Sequence, residues 1–351
     1  MSKVIYLIPE DGLGGVEQAA RSTKTEDHPC LNICFMAGEA ISDKEHIKYL
    51  NPHRSVNNPL AFWGAFRYLC RQKPEVLICS LWRASFLAIF YYLFIFFKTG
   101  KKIKMVVFVH SARFAHIVDR FTTRLAFLFA KEIWCDSTST EDAIISGSFQ
   151  NKSRVVSFFL GANKVIFERS DRARNGLGDF IFWGRLSPHK RLCLALELFN
   201  RLLISNRNLK FYIYGPDAGD EKIIKDKIRS LNISGSVHLM GEKHPESYPT
   251  ELFHSSFFIN LSSREGMAIS VIEAMQVGLV PVVTPVGEVA KYCSDGKNSI
   301  FFENLDDCVA RIDKASKSGE CYSAMSDNAI NSWVSCVDYN MDLKRKYTAL
   351  L

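Results

Sequence analysis

The chain has 351 residues, 47% hydrophobic and 23% charged, with a formal net charge of +7 and a pI near 8.8. That is the composition of a globular protein rather than a disordered one, and the length suits two domains of ordinary size. The basic excess fits an anionic partner (nucleotide, diphosphate, membrane surface or nucleic acid) without choosing among them.

The ten cysteines include no C-x-x-C pair, Cys30 and Cys34 being the closest. With no histidine cluster to complete a zinc pattern, they predict reduced thiols in a cytoplasmic protein. The amino terminus, MSKVIYLIPE, predicts a short strand over Lys3 to Ile8 rather than a signal peptide, because its apolar run is short and leads into a glycine turn. Gly12, Gly14 and Gly15 form that turn, and Val16 to Arg21 starts a helix. Glycines at 12 and 14 begin a G-x-G-x-x-G pattern, but its third position is Glu17. Leu31 to Met36 is a second strand ending near Glu39, so an oxidoreductase reading is weakened rather than excluded.

Phe62 to Arg71 predicts a helix, and Val76 to Cys79 a strand. Ala84 to Phe97, ASFLAIFYYLFIFF, falls short of the ~20 residues needed to span a bilayer. It predicts either a buried helix or one whose aromatic face dips into a membrane interface, with Lys98, Lys101, Lys102 and Lys104 held by anionic lipid. Lys104 to Val109 is a strand, ending in His110. From Arg113 to Glu132 a helix is predicted, with an apolar stripe of Phe114, Ile117, Val118, Phe121, Leu125, Leu128 and Phe129. Arg113, Arg120, Arg124 and Lys131, spaced seven, four and seven, would share one face of it, suited to phosphates or lipid headgroups, or simply a solvated face. Ile133 to Asp136 and Val155 to Leu160 predict two more strands, with a capped short helix at STSTED between them.

The second half opens on a strand, Asp179 to Trp183, followed by GRLSPHK. Arg185 and Lys190 bracket that turn, one offering a fork to phosphate oxygens, the other a point charge. Leu192 to Phe199 reads as a helix, and Leu209 to Tyr214 and Val237 to Met240 as strands. The most informative stretch is Phe257 to Gly287, FFINLSSREGMAISVIEAMQVGLVPVVTPVG. A strand, Phe257 to Leu261, is broken by Ser262, Ser263 and Arg264. Glu265 and Gly266 follow, then a helix from Ala268 with Gly278 at its end, then a strand at Val280 to Val283. Ligands of such parallel units collect at the carboxyl ends of strands beside helix starts. Gly266 lets backbone approach a ligand, the amides of Met267, Ala268, Ile269 and Ser270 can hold a phosphate, and Glu265 and Glu273, eight positions apart, can accept hydroxyls. Leu305 to Ile312 and Ser323 to Leu350 predict the last helices.

REGMAISVIEAMQVGLVPVV resembles the donor-binding signature of family 4 glycosyltransferases, and Gly184 to Lys190 resembles that family's diphosphate-binding loop. The resemblance implies an α/β chain of the GT-B fold: two doubly wound, Rossmann-like domains facing each other across a cleft. It implies an acceptor domain over residues 1–165, a nucleotide-sugar domain over 166–325, and a last helix, 326–351, crossing back. It assigns the transferred sugar to Glu265 and His110, the ribose to Glu273, and the diphosphate to Arg185, Lys190 and the helix start. Gly14 and Gly15 would meet the donor diphosphate or the acceptor, and Lys243 and His244 would hold the base by their backbone. Ala268 departs from the family, where many members have Gly or Pro, and Gly287-Glu288 replaces the usual Gly-Gly.

The activity implied is retaining transfer of a hexose-type sugar from a nucleotide diphosphate sugar, UDP-sugar being the commoner donor. No metal or other cofactor is expected. The acceptor implied is a glycan, read as a polyprenyl-diphosphate-linked oligosaccharide in O-antigen or capsule synthesis. The enzyme would be cytoplasmic, with an anionic membrane surface as partner through Arg113, Arg120, Arg124, Lys131, Lys98, Lys101 and Lys102. No nucleic-acid motif is found. The readings of other classes are an NAD-dependent oxidoreductase and a non-catalytic nucleotide-sugar-binding protein.

Overall fold

The structure, a computed structural model, describes the chain apart from residues 1, 2, 13, 161–169 and 243–248. The chain divides into two compact units, Met1–Gly161 with Val337–Leu351, and Ala162–Cys336. Each is an all-parallel sheet with helices between its strands.

In the first unit the strands are β1 (Val4–Glu10), β2 (Leu31–Ala37), β3 (Ile47–Tyr49), β4 (Val76–Ser80), β5 (Lys104–Val109), β6 (Glu132–Cys135) and β7 (Ser153–Val155), in the order β3-β2-β1-β4-β5-β6-β7. Parallel strands are covered on both faces, so they read as continuous apolar runs. That is why β1 and β4, buried almost throughout, were legible without any alternation. The helices are α1 (Gly15–Ser22), α2 (Pro59–Gln72), α3 (Leu81–Thr99), α4 (Ile117–Phe129) and α5 (Thr138–Ile144). Asn58 caps α2 and Ser137 caps α5 with their side chains.

The second unit has β8 (Asp179–Trp183), β9 (Phe211–Tyr214), β10 (Val237–Gly241), β11 (Ser255–Asn260), β12 (Val280–Val283) and β13 (Ile300–Phe301), in the order β10-β9-β8-β11-β12-β13. Its helices are α6 (Asp171–Arg174), α7 (Leu192–Ser205), α8 (Glu221–Ser230), α9 (Ile269–Gln276), α10 (Val289–Tyr292), α11 (Leu305–Lys317) and α12 (Gly319–Asn331). The chain then returns to the first unit with α13 (Tyr339–Leu350). There the Tyr339 amide donates to Phe159 O at 2.8 Å, and Asp342 accepts from the Ser157 amide at 2.8 Å.

Both sheets run outward in two directions from their first strand. The order reverses between β1 and β4 in one and between β8 and β11 in the other. At such a reversal the loops leaving the two central strands diverge to opposite faces and open a crevice.

Four expectations are corrected. The stretch Ser323 to Leu350 is not one helix: α12 stops at Asn331 and α13 starts at Tyr339. The strand expected at Val155 to Leu160 is β7, Ser153–Val155, and 156–160 is irregular. The helix expected from Arg113 to Glu132 spans Ile117–Phe129, because the His116 side chain caps its start and Ala130 is already extended. Arg113 and Lys131 therefore lie off the helix, and only Arg120 and Arg124 remain of the row of four. The predicted stripe is also split: Phe114, Leu125 and Phe129 pack against the core, Ile117, Val118, Phe121 and Leu128 are exposed, and the buried face of α4 is Thr122, Thr123, Ala126 and Phe127. Those mostly small side chains suit its close packing on α3.

Candidate active site

The crevice of the second unit is built by the loops that follow β8 and β11. They are laced together: the Ser263 amide donates to His189 O at 2.8 Å, and Lys190 Nζ lies 2.6 Å from Glu265 Oε1. Both side chains of that pair are about nine-tenths covered, at 11% and 10% exposure. Asn260, the last residue of β11, donates to Glu265 Oε1 at 3.2 Å and accepts from Ser262. Burial pushes the Glu265 carboxyl up, but the Lys190 charge and the hydrogen bonds from Lys190, Ser262 and Asn260 outweigh it and hold the group below its ordinary value. Glu265 is thus a fixed carboxylate, available to accept from hydroxyls.

The start of α9 lies beside it. Ala268, its N-cap, has φ +52° and offers no side-chain cap. Within the helix the Ala268 carbonyl takes the Val271 and Ile272 amides, leaving the Ile269 and Ser270 amides ahead of the internal bonding pattern. The turn before the helix is held from two sides. Tyr292 Oη donates to Met267 O at 2.9 Å, and the Glu288 amide donates to Gly266 O at 3.1 Å. Gly287, at φ +58°, lies so close to the Glu265 carbonyl that a Cβ there has no room. Inside α9, Glu273 is buried and its Oε2 accepts from the Trp183 indole at 2.7 Å. Trp183 is the last residue of β8, so Glu273 is tied to the end of one central strand and Glu265, through Asn260, to the end of the other.

The cations fall in the same place. Arg185 is exposed, whereas Lys190 is mostly covered. The His189 ring between them is lowered by burial first, then by the charges of Lys190, Arg264 and Arg185. Glu265 acts on the ring in the opposite sense, so the loop carries a cationic excess, Arg185, Lys190 and Arg264 against one carboxylate, that suits an anion. The structure brings together Glu265, Glu273, Arg185, Lys190, Gly266, Met267, Ala268 and Ile269. Lys243 and His244 lie outside the described residues.

In the first unit, His110 follows β5 at its carboxyl end. Its Nε2 bonds Ser80 Oγ at 2.8 Å, and Ser80 Oγ bonds Tyr6 Oη at 2.7 Å. The ring lies against Phe108 and Phe158, and burial pulls its pKa down to about 3, so the imidazole is neutral. Its buried Nδ1 has no hydrogen-bond partner among the described residues. Gly14 caps α1, and the Glu17 carboxylate folds against it. That puts a negative charge where a dinucleotide's phosphates would sit, which disfavours the oxidoreductase reading. Beneath this loop Arg21, 2% exposed, pairs with Asp11 and donates to Gly12 O at 2.8 Å.

Sequence reasoning missed Asn260, Trp183, Tyr292 and Arg264. Asn260 and Trp183 each end a central strand, and that position was the available signal. Tyr292 acts on a turn 24 to 25 residues away, which no local pattern announces.

Residues 166–332 match the family described as glycosyl transferases group 1. Among curated relatives, the GDP-mannose:cellobiosyl-diphosphopolyprenol alpha-mannosyltransferase of Komagataeibacter xylinus is 26% identical over 149 residues, 42% of this chain and 38% of that protein. The match thus spans less than half the length of that relative. Among solved structures, Anabaena HepE in complex with UDP-glucose superposes with a TM-score of 0.76 at 13% identity, covering 100% of both chains. Sucrose-phosphate synthase from Thermosynechococcus elongatus gives 0.77 at 11% identity, covering 99% of both. The chain has the GT-B fold that its sequence led us to expect.

Proposed function

We propose that this chain, whose residues 166–332 match the glycosyl transferases group 1 family, is a retaining glycosyltransferase. It moves a hexose-type sugar from a nucleotide diphosphate sugar, of the UDP class, to a glycan carried on polyprenyl diphosphate. The observation that carries this is the crevice of the second unit, where Lys190 holds Glu265 ionised at 2.6 Å beside the uncapped start of α9.

The donor diphosphate lies on the α9 amides between Arg185 and Lys190. The bond from the anomeric carbon to the diphosphate oxygen breaks, and both cations stabilise the charge that develops on it. They do this without requiring a resident metal. Glu265 accepts from sugar hydroxyls and offsets the positive charge growing on the ring. Glu273, with one oxygen fixed by Trp183, takes the ribose hydroxyls. The new bond forms from the acceptor oxygen on the same face, and the acceptor proton passes to the departing phosphate oxygen. In the first unit, His110 is assigned to a sugar hydroxyl, its ring neutral and fixed by Ser80. The first loop, its helix start already faced by Glu17, suits an acceptor better than a diphosphate.

The mannosyltransferase relative's name, with its diphosphopolyprenol acceptor, supports a lipid-borne acceptor; assembly of a surface polysaccharide at the cytoplasmic face of the membrane is part of the same proposal. The test is turnover of UDP-glucose, UDP-galactose, UDP-N-acetylglucosamine and GDP-mannose on a polyprenyl-diphosphate disaccharide, with the product's anomeric configuration read by NMR. One UDP-sugar should be consumed with retention. Inversion, or no transfer from any donor by a protein that UDP stabilises, overturns the reading.

A further inference from the structure

The net charge of the chain is concentrated in one stretch. Between His46 and Val118 the sole carboxylate is Glu75, against eleven lysines and arginines, so the remainder of the chain is net negative. The same stretch carries α2 and α3, neither of which contains an acidic residue.

The inner face of α3, with Ala84, Leu87, Ala88 and Tyr91, belongs to the core and packs on β1, β4 and β5. That fixed packing is incompatible with α3 crossing a bilayer while this sheet exists. Its outer face is a row of Phe86, Phe90, Phe94 and Phe97, spaced four, four and three, with exposures of 52%, 41%, 39% and 81%. Trp63 of α2, 50% exposed, stands edge-on to Phe90 at 6.2 Å and extends the row onto the neighbouring helix. Five exposed aromatic side chains on two adjoining helices form a patch that water does not favour. Cations border it on the carboxyl-terminal side: Arg67 and Arg71 continue the Trp63 face of α2, and Lys98, Lys101 and Lys102 follow Phe97. Lys98 Nζ already lies over the Phe94 ring at 5.5 Å.

We propose that this α2–α3 face is a docking surface for an anionic lipid bilayer, with the aromatic row entering the headgroup boundary and the lysines and arginines meeting lipid phosphates. A second copy of the chain is disfavoured as occupant, since it would set two strongly cationic surfaces against each other. The inference rests on the proposed lipid-borne acceptor for its purpose, while its geometry stands alone.

The test is flotation of the full chain with vesicles of phosphatidylglycerol and phosphatidylcholine in equal parts, and of phosphatidylcholine alone, at low salt, without donor or acceptor. Wild type should float with the anionic vesicles at least tenfold more than with the neutral ones. Trp63→Ser/Phe90→Ser/Phe97→Ser should cut that binding at least tenfold, and so should Lys98→Gln/Lys101→Gln/Lys102→Gln. Wild-type circular dichroism and an unchanged cooperative thermal transition show that each variant's first unit is folded, and stabilisation by UDP, read in parallel, reports on the second. A protein that UDP stabilises and that does not float loses the docking inference and keeps the proposed function. One that floats and gains nothing from any nucleotide loses the function instead. Undiminished flotation of the aromatic variant, or a wild-type dimer that it converts to monomer, would overturn the assignment of this face.

Discussion

Lys190 and Glu265, 75 positions apart in the chain, meet at 2.6 Å where the second sheet reverses its strand order. The pair joins the loop after β8 to the turn before α9, so the two loops proposed to hold the donor are kept in register by the fold itself. It also sets the protonation of Glu265, because a carboxyl so covered would otherwise favour its neutral form.

Lys190→Ala removes that compensation. Breaking a pair this buried should cost about 3 kcal/mol at neutral pH. The folded carboxyl lies below its ordinary value, so the pair's contribution is complete above the unfolded pKa, near 4.5, and is lost as pH falls through the folded one. Thermal unfolding against pH should show the wild-type advantage at pH 7 and its decline below about pH 4.5. Transfer should fall by about a hundredfold or more. Full activity in this variant would remove both residues from the mechanism.

Trp183→Phe keeps the ring beside Phe258 and deletes the indole donor to Glu273. A hydrogen bond to a charged group contributes about 1.5–3 kcal/mol. If Glu273 takes the ribose, the loss should appear as a donor KM raised about tenfold with kcat nearly unchanged. A drop in kcat at constant KM would assign Glu273 to the chemical step instead.

Gly287→Ala should damage the site through the backbone. The left-handed φ costs a residue with a Cβ about 1–2 kcal/mol, and here the methyl also meets the Glu265 carbonyl. Glu265 must move, so activity should fall by more than stability accounts for. Calorimetry beside steady-state kinetics separates the two effects.

Ala268→Gly goes the other way. Ala268 holds φ +52° at the head of α9, where glycine carries no steric penalty. The variant should keep its activity and unfold at an equal or higher temperature, by up to about 1 kcal/mol. A clear destabilisation would show that the Ala268 methyl, buried in the structure, contributes more by packing than it costs in strain.

Three histidines of the first unit should shape stability in acid. Burial lowers His110 to about 3, His46 to about 4, and His28 in the same direction. Unfolded, each takes a proton near 6.5, so stability falls as pH drops from there toward 4. His110→Asn should flatten that slope. A transfer profile with a wild-type limb near pH 6.5 that disappears in His110→Asn would contradict a neutral, buried His110.

The sequence by itself determined the two parallel sheets and the loops that line the second unit's crevice. Strands covered on both faces must be apolar throughout, so β5, β8 and β12 were readable to the residue. The spacing of Glu265, Gly266 and Glu273 records a strand, a turn and a helix start that lie within one stretch of chain. Only the tertiary structure decided what each apolar or charged face meets. Periodicity reports that α4 is amphipathic; it does not report that small residues fit its other side against α3 and leave Ile117, Phe121 and Leu128 in solvent. Nor could it show that the Ala84 to Phe97 stretch is core on its inner face and exposed aromatic surface on its outer. The pairings Lys190 to Glu265, Trp183 to Glu273 and Tyr292 to Met267 bridge 75, 90 and 25 positions. Such contacts are made by the folded sheet bringing strand ends together, and nothing in the local sequence of either partner records them.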